Sequence, residues 1–278
     1  MLLRGFGVIA LAVGTVLCLF LEAFESYTWL WMLPAFSLGT LVLLIVLAFL
    51  YLVLICKRVD FEKEQTEDSR HYRRVLEMYI ESALPALRVR VTTKGLNQVP
   101  VDRRFMLVCN HCSNIDPVIL VGHLAGHQVS FISKKENHDM FLVGKMMHKI
   151  QCQLIDREND REALKTILKC IQMLKEDKAS IGVFPEGYIA SDRKLHSFRA
   201  GVFKIAQKAQ VPIVVCTLTN TASAISRLLK LKPSDIRLSV LKVIEPEEFK
   251  GKKTVEISDE IFAMMAEDLG PENVSADP

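Results

Sequence analysis

The uncharged run from Phe36 to Cys56 is the feature that most constrains how this chain of 278 residues can fold. It contains 21 residues, and a helix of that length rises about 30 Å, which matches the hydrocarbon thickness of a bilayer. A buried core helix is the alternative, but it would need a protein large enough to surround it. The neighbouring sequence is equally poor in charge, since residues 1–56 hold only three charged side chains. The run therefore predicts a transmembrane helix.

Residues 2–21 predict a first transmembrane helix ahead of this run. A signal peptide is the competing interpretation, but no small-x-small cleavage site follows, and the second run comes almost at once. The segment between the two runs has two glutamates and no basic residue, whereas Arg4, Lys57 and Arg58 flank the other side. Because basic residues favour the cytoplasmic side, we expect a helical hairpin with both ends in the cytoplasm. Residues 1–56 are thus predicted to be a multi-pass anchor in the cell membrane, with the rest of the chain on the cytoplasmic side.

Residues 57–84 form a charged segment between this anchor and the remainder of the chain. Apolar residues recur at helical spacing from Tyr72 to Ala83, and Pro85 ends the pattern. The pattern predicts an amphipathic linker helix, which either lies at the membrane surface or packs on the domain that follows. The net charge of +3 for the whole chain is too small to indicate a nucleic-acid partner.

The residues after Pro85 alternate between short apolar runs and helical patterns. Runs rich in valine and isoleucine predict strands at 87–93, 104–110, 128–133, 180–184, 211–218 and 236–243, with a shorter one at 152–155. Helical patterns fall between them at 117–125, 160–175 and 201–209. This order predicts an α/β fold with a layered, mostly parallel sheet and flanking helices. The domain is predicted to span residues 85–245, and residues 246–278 form a charged C-terminal tail with one amphipathic stretch at 255–269.

The segment VCNHCSNIDPV, at 108–118, contains two overlapping patterns. Cys109 and Cys112 form a C-x-x-C pair, which suggests a metal or redox site. Structural zinc needs two further ligands, and the sequence has no second C-x-x-C pair after it. A redox pair is expected at a helix start, but here the helix is predicted to begin with Asp116 as its N-cap and Pro117 in its first turn. The two cysteines are therefore interpreted as small apolar residues that bracket a turn.

His111 and Asp116 form the second pattern, His-x4-Asp. The pair lies where an apolar strand ends and a helix begins, which is where open α/β sheets bind ligands. A neutral imidazole can take a proton from a hydroxyl while a carboxylate fixes its tautomer and stabilises the imidazolium. The alternative is that Asp116 only caps a helix and His111 only fills a turn. The pair by itself leaves both interpretations open.

Further polar residues follow other predicted strands. Glu186 and Gly187, in GVFPEGY, follow one strand, where a glutamate can hold a polyol hydroxyl or a basic partner. Arg157, in LIDREND, follows another, and its planar guanidinium suits phosphate, although a surface Asp/Arg pair is the alternative. The remaining basic candidates are Lys134 and Lys135 after a third strand, and Arg199 at a helix start, where anions are favoured.

In chain order these motifs read N-H-x4-D, I-D-R, F-P-E-G, F-R-x-G and V-P-I. This order resembles the 1-acylglycerol-3-phosphate acyltransferase family, within the glycerolipid acyltransferase superfamily, over roughly residues 85–245. The resemblance implies transfer of a fatty acyl group from an acyl-ACP or acyl-CoA thioester to the free hydroxyl of 1-acyl-glycerol-3-phosphate, which gives phosphatidic acid for phospholipid synthesis. It implies no metal and no further cofactor. The implied partners are the bilayer, its lysophosphatidic acid, and an acyl carrier protein or CoA thioester.

The resemblance also implies roles for the motif residues. His111 is the general base on the acceptor hydroxyl, and Asp116 orients its ring. The implied substrate-binding residues are Arg157 together with Lys134 or Lys135 for the acceptor phosphate, and Glu186 and Gly187 as the lining of the acceptor site.

One departure from the family pattern leaves the acceptor open. Many members read T-R-S after F-P-E-G, whereas this chain has Tyr-Ile-Ala at 188–190. The arginine that family members place here contacts phosphate, and Arg193, Lys194 or Arg199 would have to take its place. Another lysophospholipid or glycerol 3-phosphate is an alternative acceptor. A thioesterase-like hydrolase and a non-catalytic, membrane-anchored lipid-binding protein are the alternatives from other classes.

Overall fold

The computed structural model describes residues 2–156, 159–230 and 232–276. The chain divides into two compact units, Met1–Lys63 and Glu64–Pro278. The division falls within the charged segment that follows the predicted membrane anchor.

The first unit is a pair of apolar helices, α1 (Leu2–Phe20) and α2 (Trp29–Lys57). Both are long and apolar enough to cross a bilayer, and most of their side chains are exposed. α2 begins at Trp29, so the connection between the helices is shorter than the segment that separates the two predicted runs. The unit is consistent with membrane association.

Small residues set the packing of α1 against α2. Ala10, Gly14 and Cys18 recur every four residues on one face of α1 and are buried. A side chain at Gly14 would come within 2.4 Å of the Ser37 hydroxyl of α2, so the approach of the two backbones requires glycine there. Close packing of this kind associates helices in lipid, where apolar burial provides no driving force between them.

The second unit contains a seven-stranded sheet within the described residues. Its strands are β1 (Val89–Lys94), β2 (Met106–Cys109), β3 (Val129–Lys134), β4 (Gln153–Ile155), β5 (Ser180–Val183), β6 (Ile213–Thr219) and β7 (Ser234–Ile244). The spatial order is β1-β7-β6-β2-β5-β3-β4, and the β6–β7 pair is antiparallel while the other described pairs are parallel. The strands from β6 to β4 thus share one direction, and β1 and β7 run the opposite way. The predicted α/β fold with a mostly parallel sheet is confirmed.

Helices flank this sheet on its two faces. They are α3 (Arg70–Ala86), α4 (Asp116–His123), α5 (Val143–Lys149), α6 (Asp160–Lys175), α7 (Lys204–Ala209), α8 (Ala224–Leu229) and α9 (Thr254–Leu269). α6 occupies its predicted range, whereas the helix predicted at 201–209 divides into a 3₁₀ turn, Ala200–Phe203, followed by α7. The sequence pattern does not predict α5 and α8, because helices of six or seven residues are too short to display a helical period.

Side-chain alternation along the central strands divides the core between the two faces of the sheet. On β2, Met106 and Val108 join the cluster beneath α6, α7 and α9, whereas Leu107 and Cys109 join the cluster beneath α3 and α4. All four side chains are fully buried. Burying a valine, leucine or methionine stabilises the fold by about 1.5–3 kcal/mol, so both layers hold β2 and the turn that follows it in place.

Helices from outside the predicted domain complete these two layers. Ile80 of α3 lies against Gly122 of α4, where an added side chain would come within 2.6 Å of the isoleucine. The predicted linker helix therefore packs on the domain. α9, in the predicted charged tail, buries Ile261 and Met265 against the other face. The compact unit thus extends beyond both ends of the predicted 85–245 domain.

Candidate active site

The candidate site lies where the neighbouring strands β2 and β5 end. Because parallel strands have their carboxyl ends at the same edge of a sheet, the turn after Cys109 and the turn after Val183 lie side by side. The first turn carries His111 and leads into α4, and the second carries Glu186. Two segments that are far apart in the sequence thus meet at one edge of the sheet.

Asn110 fixes the backbone directly after β2. Its side-chain amide nitrogen donates to the Leu218 carbonyl oxygen at 2.9 Å, and its amide oxygen accepts from the Leu218 N–H at 2.8 Å. These two bonds continue the pairing of β2 with β6 beyond Cys109, where the strand itself ends. Sequence reasoning assigns Asn110 no role, although an amide residue directly after a buried strand is a signal that its side chain pairs with a neighbouring backbone.

His111 and Asp116 meet across the turn. The ring Nδ1 lies 2.9 Å from Oδ2, and Asp116 is fully buried while 17% of the His111 side chain is exposed. The same carboxylate oxygen accepts backbone N–H bonds from Cys112 and Ser113, each at 2.8 Å. Because Oδ2 already accepts two backbone N–H bonds, the neutral imidazole that fits this contact carries its proton on Nδ1 and has its lone pair on Nε2. No partner for Nε2 is found within the described part of the chain.

Asp116 does not cap α4, and the predicted N-cap role is wrong. The helix begins at Asp116 itself, its N-cap position is Ile115, and no side chain there caps the helix. The Cα–Cβ bonds of a helix tilt towards its N-terminus, so the carboxylate points back into the preceding turn and bonds that backbone instead. Pro117 does occupy the first turn, as predicted. The other carboxylate oxygen, Oδ1, is buried and has no hydrogen-bond partner among the described residues.

Two phenylalanines form a platform for the His111 ring. Phe184 stacks on the imidazole with ring centroids 4.1 Å apart and planes 17° from parallel, and Phe131 stacks on Phe184 at 5.6 Å. Gly182 of β5 makes room for Phe131, whose nearest ring atom lies 2.5 Å from the position that a Cβ would take. The stack restricts rotation of the imidazole, so it helps to fix the direction of Nε2. Sequence reasoning gives neither phenylalanine a role.

Glu186 joins the two turns. Its Oε1 accepts the His111 backbone N–H at 2.7 Å, and its Oε2 accepts the His196 backbone N–H at 3.2 Å. The side chain is 1% exposed, and this burial raises the pKa of Glu186 to about 8, although the two N–H donors act to lower it. Among the described residues its partners are thus backbone groups, and not the basic side chain that the sequence suggests. Contact with an acceptor hydroxyl stays a prediction.

Two arginines lie beside these turns. Arg193 donates from Nη1 to the Cys112 carbonyl oxygen at 3.1 Å, which places its guanidinium next to the His111 turn. Arg199 crosses Gly187, and its Nε lies 2.9 Å from the position that a Cβ on that glycine would occupy. The φ of +81° at this position favours glycine at 187. Both arginines are exposed, and neither has an acidic partner within the described ranges.

The other predicted phosphate-binding residues lie farther along the edge or outside the described residues. Lys134 ends β3 and Lys135 begins the 3₁₀ turn that follows, and β5 separates β3 from β2. Their ammonium groups lie 4.0 Å from Glu136 and 3.9 Å from Asp156, respectively. These ion pairs are exposed and therefore contribute little to the stability of the fold. Arg157 lies outside the described residues.

Cys109 and Cys112 are buried thiols on either side of the His111 turn. Burial raises the pKa of Cys112 to about 12 and the pKa of Cys109 well above its ordinary value. Metal ligation and thiol–disulfide exchange both use the thiolate, which these surroundings disfavour. Within the described residues, no group of three or more His, Cys, Asp or Glu side chains is placed to hold a metal ion.

The fold and the site define an α/β domain with a hydrogen-bonded His–Asp pair at the carboxyl edge of its sheet. Residues 90–219 match the model of the acyltransferase family. The matched segment contains His111, Asp116 and Glu186, so the resemblance indicated by the motifs is confirmed.

Curated relatives carry a more particular name. A probable 1-acyl-sn-glycerol-3-phosphate acyltransferase of Mycoplasma pneumoniae is 32% identical over 53% of this chain and 56% of its own length. The 1-acyl-sn-glycerol-3-phosphate acyltransferase of Chlamydomonas reinhardtii is 29% identical over 74% of this chain and 62% of its own. The 1-acyl-sn-glycerol-3-phosphate acyltransferase of Saccharomyces cerevisiae is 25% identical over 59% of this chain and 55% of its own length. The chain thus spans between about half and two thirds of the length of these relatives.

A solved structure shares the fold. The crystal structure of the 1-acyl-sn-glycerophosphate (LPA) acyltransferase PlsC from Thermotoga maritima matches with a TM-score of 0.63, over 81% of this chain and 90% of that one. The two sequences are 23% identical, so this similarity establishes the architecture alone.

Proposed function

We propose that the chain is an O-acyltransferase that moves a fatty acyl group from a thioester to the free hydroxyl of 1-acyl-glycerol-3-phosphate, which yields phosphatidic acid. The observation that carries the proposal is the 2.9 Å contact between His111 Nδ1 and Asp116 Oδ2, which leaves Nε2 as a base at the carboxyl edge of the sheet. The names of the curated relatives support lysophosphatidic acid as the acceptor.

The proposed chemistry is a direct transfer between two bound substrates. His111 Nε2 takes the hydroxyl proton of the acceptor as its oxygen attacks the thioester carbonyl carbon. The tetrahedral intermediate then collapses, the carbon–sulfur bond breaks, and the thiolate takes the proton back from the imidazolium. Asp116 stays ionised throughout and stabilises the imidazolium that forms between the two steps. The products are the new ester and the free thiol.

The acceptor phosphate is the proposed ligand of the basic residues at this edge. Arg199 passes over Gly187, and its planar fork suits a phosphate group. Lys134 and Lys135 extend the positive charge along the same edge, and Arg157 completes the set that the sequence predicts. An acyl carrier protein and CoA present the same thioester to His111, so the proposed chemistry is the same for both donors, and no metal or further cofactor enters it.

The bilayer is the proposed source of the acceptor and destination of the product, since both are membrane lipids. The two apolar helices support a multi-pass anchor, and the basic residues that flank them support a cytoplasmic location for the Glu64–Pro278 unit. In sealed vesicles of defined orientation, a protease should cleave that unit only where the cytoplasmic face is outside. Cleavage from the opposite face would contradict the orientation.

The test of the activity is a panel of acceptors offered to the full chain in lipid vesicles. Acyl-CoA and acyl-ACP serve in turn as donors, with lysophosphatidic acid, another lysophospholipid or glycerol 3-phosphate as acceptor. Thiol release and the acylated lipid are followed together, and His111→Ala serves as the inactive reference. We expect release that depends on lysophosphatidic acid and equals the phosphatidic acid formed.

The other outcomes distinguish the alternatives. Equal turnover with another lysophospholipid would assign a different acceptor, in line with the Tyr-Ile-Ala at 188–190. Thiol release without an acylated lipid would indicate a hydrolase. No acceptor-dependent release from any combination would refute the transferase proposal.

A further inference from the structure

We propose that the turn Met140–Val143, here called the apolar tip, inserts into the interface of a lipid bilayer. The Glu64–Pro278 unit would then have a membrane contact of its own, in addition to the apolar helices of the first unit. The tip contains four apolar residues in a row, Met-Phe-Leu-Val, between the 3₁₀ turn Lys135–Asp139 and α5. The inference rests on its backbone, its exposure and its position in the fold.

The backbone of the apolar tip is held in a tight and strained turn. Leu142 has φ +61° and ψ −46°, and the Val143 N–H donates to the Phe141 carbonyl oxygen at 2.7 Å, which together define a γ-turn with positive φ. Gly144 permits the turn, since a Cβ there would lie 1.8 Å from the His138 carbonyl oxygen. Strain of this kind persists only where surrounding structure imposes it, and it concentrates at functional positions.

The turn places apolar side chains in solvent. Phe141 is 73% exposed, Met140 is 50% exposed and Val143 is 45% exposed. Scattered exposed apolar residues are ordinary, but three neighbours at the tip of one turn form a contiguous apolar patch that water solvates poorly. Burial of such a patch in the boundary between headgroups and acyl chains removes that cost, and an aromatic ring suits this boundary.

The position of the apolar tip relates it to the candidate site. The tip follows β3, which runs parallel to β5, and β5 runs parallel to β2. The carboxyl ends of these strands therefore lie at one edge, which also carries the His111 turn. Insertion of the tip would bring this edge to the lipid surface. This consequence suits a lipid acceptor, but the insertion itself does not depend on the proposed acyl transfer.

The charge around the apolar tip favours a bilayer that contains anionic lipid. The segment 134–149 carries four lysines and two acidic residues. Among the described residues, the ion pairs of Lys134 and Lys135 are long and exposed, so their charge is available to lipid phosphate groups. An acidic carrier protein is the competing partner for a basic and apolar surface. An exposed apolar turn, in a chain that also has two helices long enough to cross a bilayer, favours lipid.

Tryptophan fluorescence tests the insertion on the full chain. The native residues Trp29 and Trp31 are replaced by phenylalanine, and Phe141→Trp then supplies the single reporter. The protein is reconstituted into vesicles of phosphatidylcholine and phosphatidylglycerol with plain or brominated acyl chains, because bromine quenches an indole only at close range. Val101→Trp is the matched control, since Val101 is 88% exposed in the loop before β2, at the opposite edge of the sheet.

We expect brominated lipid to reduce the emission of the Phe141→Trp reporter by about twofold or more, with a blue-shifted maximum, and to leave the Val101→Trp control unchanged. Met140→Trp repeats the measurement if the first variant does not fold, which circular dichroism shows. Equal emission in both lipids would overturn the proposal, and so would equal quenching at the two positions. A spectral response to added acyl carrier protein in detergent, without any response to lipid, would assign the apolar tip to the carrier instead.

Discussion

Replacing Asp116 with asparagine separates the charge of this carboxylate from its hydrogen bonds. Oδ2 accepts from His111 Nδ1 and from the backbone N–H groups of Cys112 and Ser113. An asparagine oxygen in the same place can accept all three bonds. The NH₂ group would then occupy the position of Oδ1, which has no partner among the described residues. The variant therefore keeps the imidazole tautomer and removes the negative charge.

In the proposed mechanism, the lost charge matters when His111 becomes an imidazolium. Two unit charges about 4 Å apart interact by about 4 kcal/mol at an effective dielectric constant of about 20. At about 1.36 kcal/mol per factor of ten, this predicts a loss in kcat of about 10³-fold for Asp116→Asn. The buried NH₂ group without an acceptor costs about 1–3 kcal/mol in folding free energy, partly offset because a buried charge is removed.

The assay is thiol release at saturating acceptor, with KM for both substrates and a thermal unfolding curve for each variant. We expect kcat to fall while both KM values change by less than about threefold, because the charge acts in the transition state. Asp192→Asn is the matched control, since Asp192 Oδ1 contacts His196 Nε2 at the same 2.9 Å but the aspartate is exposed. Its kcat should stay within about threefold of the parent value. A folded Asp116→Asn protein that keeps kcat within about tenfold would refute the electrostatic role.

Three further predictions concern the cysteines, Glu186 and Arg199. The double change Cys109→Ser and Cys112→Ser should leave kcat within about threefold, and loss of turnover in a folded protein would revive a thiol-based role. Burial raises the pKa of Glu186 from its ordinary value of 4.5 to about 8. The folded protein therefore loses up to about 1.36 kcal/mol of unfolding free energy for each pH unit between these two values, because the unfolded chain ionises first. The melting temperature should therefore fall between these pH values, and Glu186→Gln should flatten this part of the profile; an unchanged profile would contradict the burial argument. Arg199→Ala should raise KM for a phosphate-bearing acceptor by about tenfold with little change in kcat, whereas an unchanged KM would place the phosphate elsewhere.

The strands and long helices of the fold could be predicted from local pattern. Each predicted strand exists. The central strands are recognisable because buried strands need runs of branched apolar residues whatever their neighbours are. The same runs carry no information about which strands pair. The sequence therefore does not show that β7 inserts between β1 and β6 and runs antiparallel to β6. It also leaves α9 in a charged tail, because the apolar side of this helix is recognisable as core only once the sheet face beneath it is known.

The candidate site also has a part that the sequence predicts and a part that it does not. His111 and Asp116 are five residues apart, so the motif itself brings them within reach across one turn. The contacts that hold the turn involve distant segments. Asn110 bonds the backbone of Leu218 on β6, and Glu186, in the turn after β5, accepts the His111 backbone N–H. No local spacing predicts such pairs. The sequence identifies Glu186 through its motif, but its bonds to two backbone N–H groups have no signature in the sequence.

These contacts imply that kcat depends on residues that position the His111 ring. The backbone of His111 is held through its N–H by Glu186, its ring is held through Nδ1 by Asp116, and its face is held by Phe184. A ring fixed from three directions has little freedom to turn Nε2 away from an acceptor hydroxyl, and proton transfer loses rate steeply when donor and acceptor are misplaced. Keeping a buried carboxylate with a raised pKa at Glu186 costs folding free energy. That cost is understandable if the glutamate positions the base, since an apolar side chain there would leave the backbone N–H groups of His111 and His196 without their acceptor.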